Sequence, residues 1–478
     1  MTSSTFQRRR LAAALITLFA ISAAGYAGEA PFMPNMTAFR NPTGIAATYS
    51  TTGKVFLDGP FFQSLGSNGR SCGSCHQPAD GWTVIPSHLR ERFDATGGTD
   101  PVFRTFDGSN SPIADVSTVE ARRNAYSMLL NKGLIRVGIG IPANAEFELI
   151  AVDDPYGYAS AAELSLFRRP LPSTNLKFLS TVMWDGRETF KDATSQDCIA
   201  HTATCFATLH FDLIDQSNAA TTGHAQAANA LTTEQREAIV AFEMTLFTAQ
   251  ITDDEAGHLA ARHANGGPEY LSWQPFYFGI NDVVSGDYQT GAAFNSKAFE
   301  LYAGWLSSAD HDDDGHGGKA ARAAVARGEA LFNSRPILIK GVKGLNDDLG
   351  VETLPGTCTT CHDTPVSGNH SIPAPLDIGL TDASRRTPDM PLYTLRNKQD
   401  PTLVVQTTDP GRALITGKWR DVGRIKGPLL RALAARAPYF HNGFAKDLDA
   451  VVDFYNDRFE LGLTDREHDD LVAFLLAL

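Results

Sequence analysis

The stretch Cys72-Gly73-Ser74-Cys75-His76 has a twin later in the chain, Cys358-Thr359-Thr360-Cys361-His362, and both are CxxCH motifs. Two thiols one helical turn apart can both add to the vinyl groups of a haem, and the adjacent histidine then reaches the iron. A structural zinc site usually needs a second Cys or His pair in the same module, and a redox dithiol needs no trailing His. The two motifs therefore predict a c-type cytochrome with two covalently bound haems.

The bulk composition is typical of soluble globular proteins and argues against some partners. The chain has 478 residues, of which 43% are hydrophobic and 20% are charged, which is enough for two or three domains with their own cores. The formal net charge of -13 argues against nucleic acid and against an anionic membrane surface as partner. It suits an encounter with a basic protein.

The N-terminal residues have the pattern of a secretory signal peptide at residues 1–27. Three arginines, Arg8 to Arg10, precede an apolar run from Leu11 to Ala24, and Gly25-Tyr26-Ala27 offers a small-residue cleavage site. An uncleaved membrane anchor is the alternative, although the run is short for a membrane span. We therefore expect a soluble mature protein in the periplasm, a compartment that also suits covalent haem attachment.

Two cysteines lie outside the haem motifs. Cys198 and Cys205 stand in a loop-like stretch, and in an oxidising compartment we expect them to form a disulfide. Two free, buried thiols are the alternative.

Two segments have similar sequences, and each predicts a helix. Thr232 with Gln235, and Thr464 with Glu467, are spaced as capping boxes, and apolar residues follow each pair with helical period. A haem motif followed by a closing amphipathic helix is the plan of a cytochrome c module, and the chain contains this plan twice. Short amphipathic helices are also predicted just before the two motifs, at residues 53–57 and 327–332.

The expected fold is therefore mainly α, with tandem cytochrome c-like domains and long loop insertions. The first module carries its insertions chiefly at residues 77–120 and 132–181, and few segments alternate as strands. The predicted divisions are the signal peptide at 1–27, an N-terminal domain at 28–250, an inter-module segment at 251–319 and a C-terminal domain at 320–478.

The inter-module segment contains an acidic run that imitates a calcium loop. Residues Asp310 to Gly315 match the start of such a loop, but Ala321 stands where the closing Glu should fall. A solvated acidic linker is the better interpretation.

Two further signatures resemble a known superfamily. Met183-Trp184-Asp185-Gly186-Arg187 is similar to the WDGR signature of bacterial di-haem cytochrome c peroxidases and MauG, and Ala437-Pro438-Tyr439-Phe440-His441-Asn442-Gly443 is similar to their APYxHDG segment. Both lie in the expected order around the CxxCH motifs. The resemblance implies that the haem on His76, in the N-terminal domain, meets peroxide. It also implies that the haem on His362, in the C-terminal domain, receives or stores electrons.

The resemblance gives the tryptophan of WDGR a role in charge transfer. In the family a tryptophan between the haems relays charge, and the matching residue here is Trp184. The indole is oxidisable, and its π-system shortens a long tunnelling path. Packing in the core is the alternative for a lone tryptophan.

The second axial ligand of the His362 haem distinguishes the branches of the superfamily. Ordinary peroxidases use Met, whereas MauG uses Tyr. Counting seventeen residues from Pro438, as in the family, leads to Tyr455. A phenolate is a hard anionic donor that favours oxidised iron, whereas a thioether raises the potential. The chain thus resembles the His/Tyr-ligated, BthA-like branch of MauG-type proteins; the alternative is Met390 as ligand and Tyr455 as a core aromatic.

The chain departs from the family on the distal side of the His76 haem. The family has a Gln and, ten positions later, a Glu that moves protons; the matching residues here are Gln216 and Gln226. An amide orients peroxide but cannot take its proton, so His224 is the candidate base. A surface or packed His224 is an equally good interpretation. His88 is the candidate for a distal ligand that leaves on activation, but its spacing favours an open, five-coordinate haem.

The resemblance also implies a calcium ion between the haems. The family holds Ca²⁺ with an Asn side chain and two main-chain carbonyls, which match Asn124, Arg436 and Pro438 here. Such oxygen donors suit Ca²⁺.

The expected function is that of a periplasmic di-haem oxidoreductase, a peroxidase or MauG-like oxidase. Hydrogen peroxide would oxidise the His76 haem, and Trp184 would share the oxidising equivalents with the second haem in a bis-Fe(IV)-type state. The electron donor or protein substrate is not identified by the sequence. One alternative is a rubber-oxygenase-like dioxygenase whose aromatic stretch, Tyr270 to Phe278, lines an apolar site. Another is a non-catalytic electron-transfer cytochrome with two fully ligated haems.

Overall fold

The computed structural model describes residues 31–189, 209–306 and 318–478. Three predictions lie outside these residues: the signal peptide at 1–27, the disulfide between Cys198 and Cys205, and the acidic linker from Asp310 to Gly315. Within the described ranges, none of the helices is long and apolar enough to cross a membrane.

The described helices and strands follow one another along the chain in groups. The α-helices are α1 (Pro86–Thr96), α2 (Val119–Ala125), α3 (Ser127–Lys132), α4 (Leu209–Gly223), α5 (Thr233–Met244), α6 (Pro268–Ser272), α7 (Gly318–Ser334), α8 (Asn346–Leu349), α9 (Ala413–Thr416), α10 (Leu448–Arg458) and α11 (Asp465–Leu476). The strands are β1 (Phe32–Pro34), β2 (Ala38–Asn41), β3 (Gly44–Ser50), β4 (Lys54–Phe56), β5 (Ile135–Ile139), β6 (Phe147–Asp153), β7 (Leu164–Arg168), β8 (Leu246–Asp253), β9 (Gly257–His258), β10 (Ile337–Lys340), β11 (Thr353–Gly356), β12 (Leu392–Asn397) and β13 (Val404–Thr407).

The strands form small antiparallel sheets with the orders β1-β4, β5-β7, β10-β11, β13-β12-β6 and β2-β3-β8-β9. Helix takes 32% of the structure and strand 18%, so the predicted mainly α class holds only in part. The expectation of few strands is wrong for the insertion at residues 132–181, which contains β5, β6 and β7. In β7 every residue is buried, and such a strand has no polar alternation for a sequence pattern to detect.

The two predicted closing helices are confirmed, together with their capping boxes. The Thr232 hydroxyl accepts a hydrogen bond from the Gln235 amide, whose side chain in turn accepts from the Thr232 amide, at the start of α5. Thr464 and Glu467 make the same exchange at the start of α11. Each box satisfies two backbone N–H groups that a helix N-terminus otherwise leaves without partners.

The helices predicted just before the two haem motifs have different outcomes. Residues 327–332 lie in α7, as expected. Residues 54–56 instead form strand β4, which pairs with β1. The prediction at 53–57 is wrong because Lys54-Val55-Phe56 alternates its burial as a strand does, and the following Asp58-Gly59-Pro60 ends the segment.

The largest hydrophobic core draws on both predicted modules. Its buried members include Leu176 and Val240 from the N-terminal part, Phe299 from the segment at 251–306, and Phe332 and Phe474 from the C-terminal part. The pairing of β6 with β12 also joins the first insertion to the C-terminal part. The two parts of the chain therefore share one core, while the motif cysteines also pack against smaller clusters, Cys72 and Cys75 against two of them and Cys358 and Cys361 against a third.

A glycine sets the close approach of the helices beside the second motif. A Cβ atom on Gly328 of α7 would lie 1.9 Å from the carbonyl O of Asp470 in α11. Only a residue without a side chain allows this helix contact. The packing places the start of the second haem module against the closing helix of the chain.

Candidate functional site

The first CxxCH segment is a short 3-10 turn that places two thiols beside a histidine. Residues Cys72–Ser74 form the turn, which Ser71 precedes as a cap. The amide of His76 donates to the carbonyl O of Cys72 at 3.0 Å, and Nδ1 of His76 lies 2.9 Å from the carbonyl O of Trp82. Because a carbonyl can only accept, Nδ1 carries the proton and Nε2 presents a lone pair.

The second CxxCH segment repeats this arrangement. Residues Cys358–Thr360 form the turn, with Thr357 as its cap. The amide of His362 donates to Cys358 O at 3.2 Å, and its Nδ1 lies 2.6 Å from Gly368 O. Burial lowers the pKa of both motif histidines to about 4. Both are therefore neutral imidazoles at pH 7, the form in which histidine binds a metal.

The four motif thiols fit haem attachment better than a zinc site or a redox dithiol. Among the described residues, none of the four takes part in a disulfide. Burial raises the pKa of Cys72, Cys358 and Cys361 to about 12 and also raises that of Cys75. Zinc binding and dithiol exchange both use thiolates. Across residues 31–189, 209–306 and 318–478, no group of three or more His, Cys, Asp or Glu side chains is placed to hold a metal ion.

One cavity of about 390 Å³ is lined by both motifs. Most of the predicted site residues lie on its wall: Cys72, Cys75, His76, Trp184, Gln216, His224, Cys358, Cys361, His362, Arg436, Pro438 and Tyr455. Aliphatic and aromatic side chains make up much of the remaining wall, as a macrocycle with an apolar body requires. Two groups bound through His76 and His362 would therefore share one enclosure.

Trp184 lies in the wall of this cavity and is held on three sides. It is 8% exposed, and its Nε1 donates to the carbonyl O of Arg169 at 2.7 Å. The Trp184 carbonyl accepts from the Lys426 amide at 2.9 Å. The ring of His441, from the second signature, meets the indole edge-on at a centroid distance of 6.1 Å. The indole is thus fixed in one orientation.

Buried ion pairs fix the rest of the WDGR segment. Asp185 accepts from Arg168 at 2.5 Å and from Arg187 at 2.9 Å, and Arg168 also pairs with Asp409 at 2.7 Å. Although burial alone would raise it, the charges of Arg168 and Arg187 hold the pKa of Asp185 well below its usual range. Removal of one member of such a buried ion pair destabilises a protein by about 3 to 5 kcal/mol. These ion pairs therefore hold the loop that follows Trp184 in place.

The two candidates for the second axial ligand lie in different places. Tyr455, on α10, lines the cavity beside Cys358 and Cys361. Among the described residues, none hydrogen-bonds to its hydroxyl, whose pKa is raised by burial and by the two neighbouring thiols. Met390 packs in a separate cluster with Met128 and does not line the cavity. A cation at the hydroxyl would be needed to offset the cost of forming a buried phenolate.

His224, just after α4, is held by a buried carboxylate. Its Nδ1 lies 2.6 Å from Oδ2 of Asp107, and Nη1 of Arg70 lies 2.5 Å from Oδ1 of the same carboxylate. Although burial alone would raise it, the hydrogen bond from His224 and the charge of Arg70 lower the pKa of Asp107. The ionised carboxylate keeps the proton on Nδ1, so Nε2 of His224 is the atom that can accept another.

Gln226, which was predicted for the distal side, lies elsewhere, and so does His88, for which the sequence already favoured an open haem instead. Gln226 is exposed, with a left-handed φ of 54°, and its carbonyl accepts from the Ser67 hydroxyl at 2.9 Å. Gln226 follows the end of α4 at Gly223 and is not on the cavity wall, so the family's ten-residue spacing from Gln216 does not lead to a cavity residue here. His88 bonds to the Asp80 carboxylate and is not on the cavity wall.

The residues predicted to hold Ca²⁺ do not fit that ion. Asn124 is exposed on α2, and the carbonyl O of Arg436 accepts a hydrogen bond from Nη2 of Arg169 at 3.1 Å. A guanidinium at a ligand carbonyl repels a divalent cation. The geometry of these residues therefore does not support the calcium prediction.

Three buried groups on the cavity wall were missed by the sequence reasoning. Burial raises the pKa of Glu243, which lies on α5, to about 8. Lys426 donates to Thr181 O at 2.9 Å, and burial lowers its pKa to about 7. Burial also lowers the pKa of His441 to about 4. His441 stands inside the APYFHNG signature, which was a usable signal, whereas Glu243 and Lys426 stand in no motif.

The aromatic stretch Tyr270 to Phe278 does not line the cavity. Leu271 packs into the largest core, and Tyr270 and Phe276 lie against it. Phe278 is buried and its ring contacts that of Phe276, while Trp273 is 67% exposed. This stretch therefore offers no support for an apolar substrate site next to the haem motifs.

Glu243→Gln is expected to stabilise the protein at alkaline pH and not near pH 4.5. The pKa of Glu243 is raised from 4.5 to about 8, so between these values the folded protein binds a proton that the unfolded chain has released. The free energy of unfolding therefore falls as pH rises through this window. The glutamine side chain cannot ionise, so the variant should avoid this fall in the free energy of unfolding, which amounts to about 3 to 5 kcal/mol above pH 8. Thermal unfolding of the variant and the unmodified protein, near pH 4.5 and above pH 8, measures the difference in stability.

Glu237→Gln, on the exposed face of the same helix, is the matched control and should show no comparable gain. An equal gain for Glu243→Gln at both pH values would contradict the assignment of a neutral, buried carboxyl.

The two CxxCH turns and the cavity that they line fit a haem protein of the cytochrome c type. No protein-family model matches the chain. The chain is 33% identical over 142 residues to cytochrome-c peroxidase IdrP2 of Denitromonas iodatirespirans, covering 28% of this chain and 38% of the relative. It is 31% identical over 140 residues to cytochrome-c peroxidase IdrP1 of Pseudomonas sp. strain SCT, covering 25% and 36%. With cytochrome c peroxidase Ccp of Escherichia coli strain K12 it shares 41% identity over 76 residues, 16% of each chain.

These relatives agree with the predicted resemblance to cytochrome c peroxidases. The aligned part spans less than half the length of each of these three relatives. A solved structure of a MauG-like protein associated with microbial copper homeostasis aligns over 95% of both chains, with 16% identity and a TM-score of 0.37. The similarity to cytochrome c peroxidases comes from the sequence relatives alone.

Proposed function

We propose that the chain is an oxidoreductase that binds two c-type haems and reacts with hydrogen peroxide. The observation that carries this proposal is the single cavity lined by both CxxCH histidines, by Trp184 and by the His224–Asp107 pair. The relatives named cytochrome-c peroxidase support it. When bound, the haem on His76 would supply an iron that reacts with peroxide, and the haem on His362 would supply a second store of oxidising equivalents.

The protein's own part begins with the two ligand histidines. The carbonyls of Trp82 and Gly368 fix the ring orientation of His76 and His362 and keep Nδ1 protonated. Such a bond also makes Nε2 a better donor to a metal. Each ligand is therefore set before the cofactor is attached.

His224 is the proposed acid–base group for peroxide. Asp107 holds its Nδ1 proton, so Nε2 accepts a proton from peroxide and later returns it to the departing oxygen. Gln216 lines the same cavity, and its amide has both a donor and an acceptor with which to orient the peroxide. This division replaces the carboxylate expected from the family, which this chain lacks at Gln226.

Trp184 and Tyr455 are the proposed route to the second site. The indole N–H of Trp184 donates to a main-chain carbonyl, which cannot take up a proton. Charge passing through the indole therefore leaves its proton in place. Tyr455 would supply the second ligand to the iron on His362, since it lines the cavity together with Cys358 and Cys361.

Cyanide and peroxide titrations of the oxidised holoprotein test the proposal. We expect cyanide to bind one of the two haems and peroxide to react within the mixing time of a stopped-flow instrument. Two haems closed to both ligands would instead identify an electron-transfer cytochrome. Stable dioxygen binding with cleavage of an apolar polymer, and no peroxide reaction, would identify a rubber-oxygenase-like enzyme.

Trp184→Phe is expected to separate the two haems electronically. One equivalent of peroxide should alter the Mössbauer spectra of both irons in the unmodified protein. In the variant, the spectral change at the second iron should slow by about tenfold or more, which corresponds to ~1.4 kcal/mol, because phenylalanine is much harder to oxidise. Trp273→Phe, at the exposed tryptophan outside the cavity, is the control. Unchanged kinetics in Trp184→Phe would show that the indole only packs.

A further inference from the structure

Arg169, directly after β7, carries a buried guanidinium whose hydrogen-bond partners among the described residues are main-chain oxygens. The residue is 5% exposed. Its Nη1 donates to Lys132 O at 2.9 Å, and its Nη2 donates to Val84 O at 2.8 Å and to Arg436 O at 3.1 Å. Among the described residues, no carboxylate hydrogen-bonds to it. A ring of carbonyls around a positive charge is the kind of environment in which proteins hold hard cations.

The backbone of Arg169 extends the same connection. Its amide donates to the carbonyl O of His441 at 2.6 Å, and its carbonyl accepts from Nε1 of Trp184 at 2.7 Å. Arg169 thus ties the segments at Val84 and Lys132, in the N-terminal part, to residues 436–441 in the C-terminal part. It does so in the wall of the shared cavity, next to the proposed relay.

The surrounding chain is shaped to admit this side chain. A Cβ atom on Gly133, whose φ is +61°, would lie 2.3 Å from Nη1 of Arg169. Burial and the neighbouring charge of Arg436 lower the pKa of Arg169 to about 10, so the guanidinium is still charged at neutral pH. With Arg436 also close by, a divalent ion at the same carbonyls would meet two positive charges.

We propose that the Arg169 guanidinium is a built-in cation that joins the two haem-bearing parts at the place where the resemblance led us to expect Ca²⁺, so that the protein does not depend on calcium. The proposal concerns the architecture around the cofactors and holds whichever reaction they support.

Calcium content and stability of the purified holoprotein test this directly. We expect elemental analysis to find substoichiometric calcium, and we expect EGTA or added CaCl₂ to leave both Tm and the haem spectra unchanged. One tightly bound calcium per chain, or a fall in Tm on chelation, would overturn the proposal. This measurement needs no variant and is unaffected if a variant fails to fold.

Arg169→Gln provides the second arm. The amide keeps a donor but removes the charge and the fork that reaches three carbonyls, so Tm should fall by at least about 5 °C. Arg40→Gln, which removes an exposed arginine paired with Asp254, is the control and should leave Tm nearly unchanged. Equal Tm values for the two variants would also overturn the proposal.

Discussion

Tyr455→Met is expected to raise the reduction potential of the haem bound through His362 by about 0.2 V or more, because the identity of axial ligands moves haem potentials over about 0.8 V. A phenolate is a hard anion that stabilises ferric iron, whereas a thioether is soft and neutral and favours ferrous iron. The phenol lies in the cavity beside Cys358 and Cys361, so a methionine there should have the same access. Spectroelectrochemical titration of the holoprotein measures the shift.

The higher potential should also change how the protein treats peroxide. A haem with a thioether ligand resists the loss of an electron more strongly, so the second site should no longer share the oxidising equivalents. We expect the variant to keep the peroxide reaction at the His76 haem. We also expect it to lose the coupled change in the Mössbauer spectrum of the second iron.

Two controls separate ligand exchange from a general effect on the cavity. Tyr439 also lines the cavity, but its hydroxyl donates to Leu433 O at 2.9 Å. Tyr439→Met should therefore leave the reduction potential of the haem bound through His362 nearly unchanged. Met390→Leu should have no effect, because Met390 packs away from the cavity. A potential that responds to Met390→Leu and not to Tyr455→Met would show that sulfur is the native ligand.

The parts of the site that the sequence could predict are those set by contacts between neighbouring residues. In each CxxCH segment the thiols and the histidine are brought together by a single turn, and in each closing helix the capping residues are three positions apart. Such spacing is visible in the chain itself. The placement of Tyr455 in the cavity, seventeen residues from Pro438, agrees with an inherited spacing rather than with any local physical rule.

The parts that the sequence could not predict depend on pairings between distant residues. Asp107 and His224 are 117 positions apart, and Arg169 reaches Arg436 across 267 positions. Neither pair stands in a recognisable motif, so only the fold reveals them. The ten-residue spacing from Gln216 to Gln226 came from the family, and only the fold shows that α4 ends at Gly223 and that Gln226 is exposed.

His224→Gln is expected to slow the reaction of the oxidised holoprotein with peroxide by about 10² to 10³-fold, the usual contribution of one general acid–base group. Glutamine retains a polar side chain of similar reach but cannot take a proton from peroxide. Stopped-flow absorption at increasing peroxide concentrations separates the bimolecular rate from any later step. His210→Gln is the matched control, because His210 lies on α4 with an exposed side chain paired to Glu237, and it should react at the unmodified rate.

Asp107→Asn tests whether the carboxylate acts through His224. The asparagine can still bond to Nδ1, but without the charge it no longer favours a proton at Nε2, so the rate should fall by about tenfold or more. The substitution also breaks the buried ion pair with Arg70, which should destabilise the protein by about 3 to 5 kcal/mol. Tm must therefore be measured as well, to show that the variant is folded. In the double variant with His224→Gln, the two losses should not add, since both remove the same proton transfer. Additive losses, or a His224→Gln variant as fast as His210→Gln, would place the base elsewhere on the cavity wall.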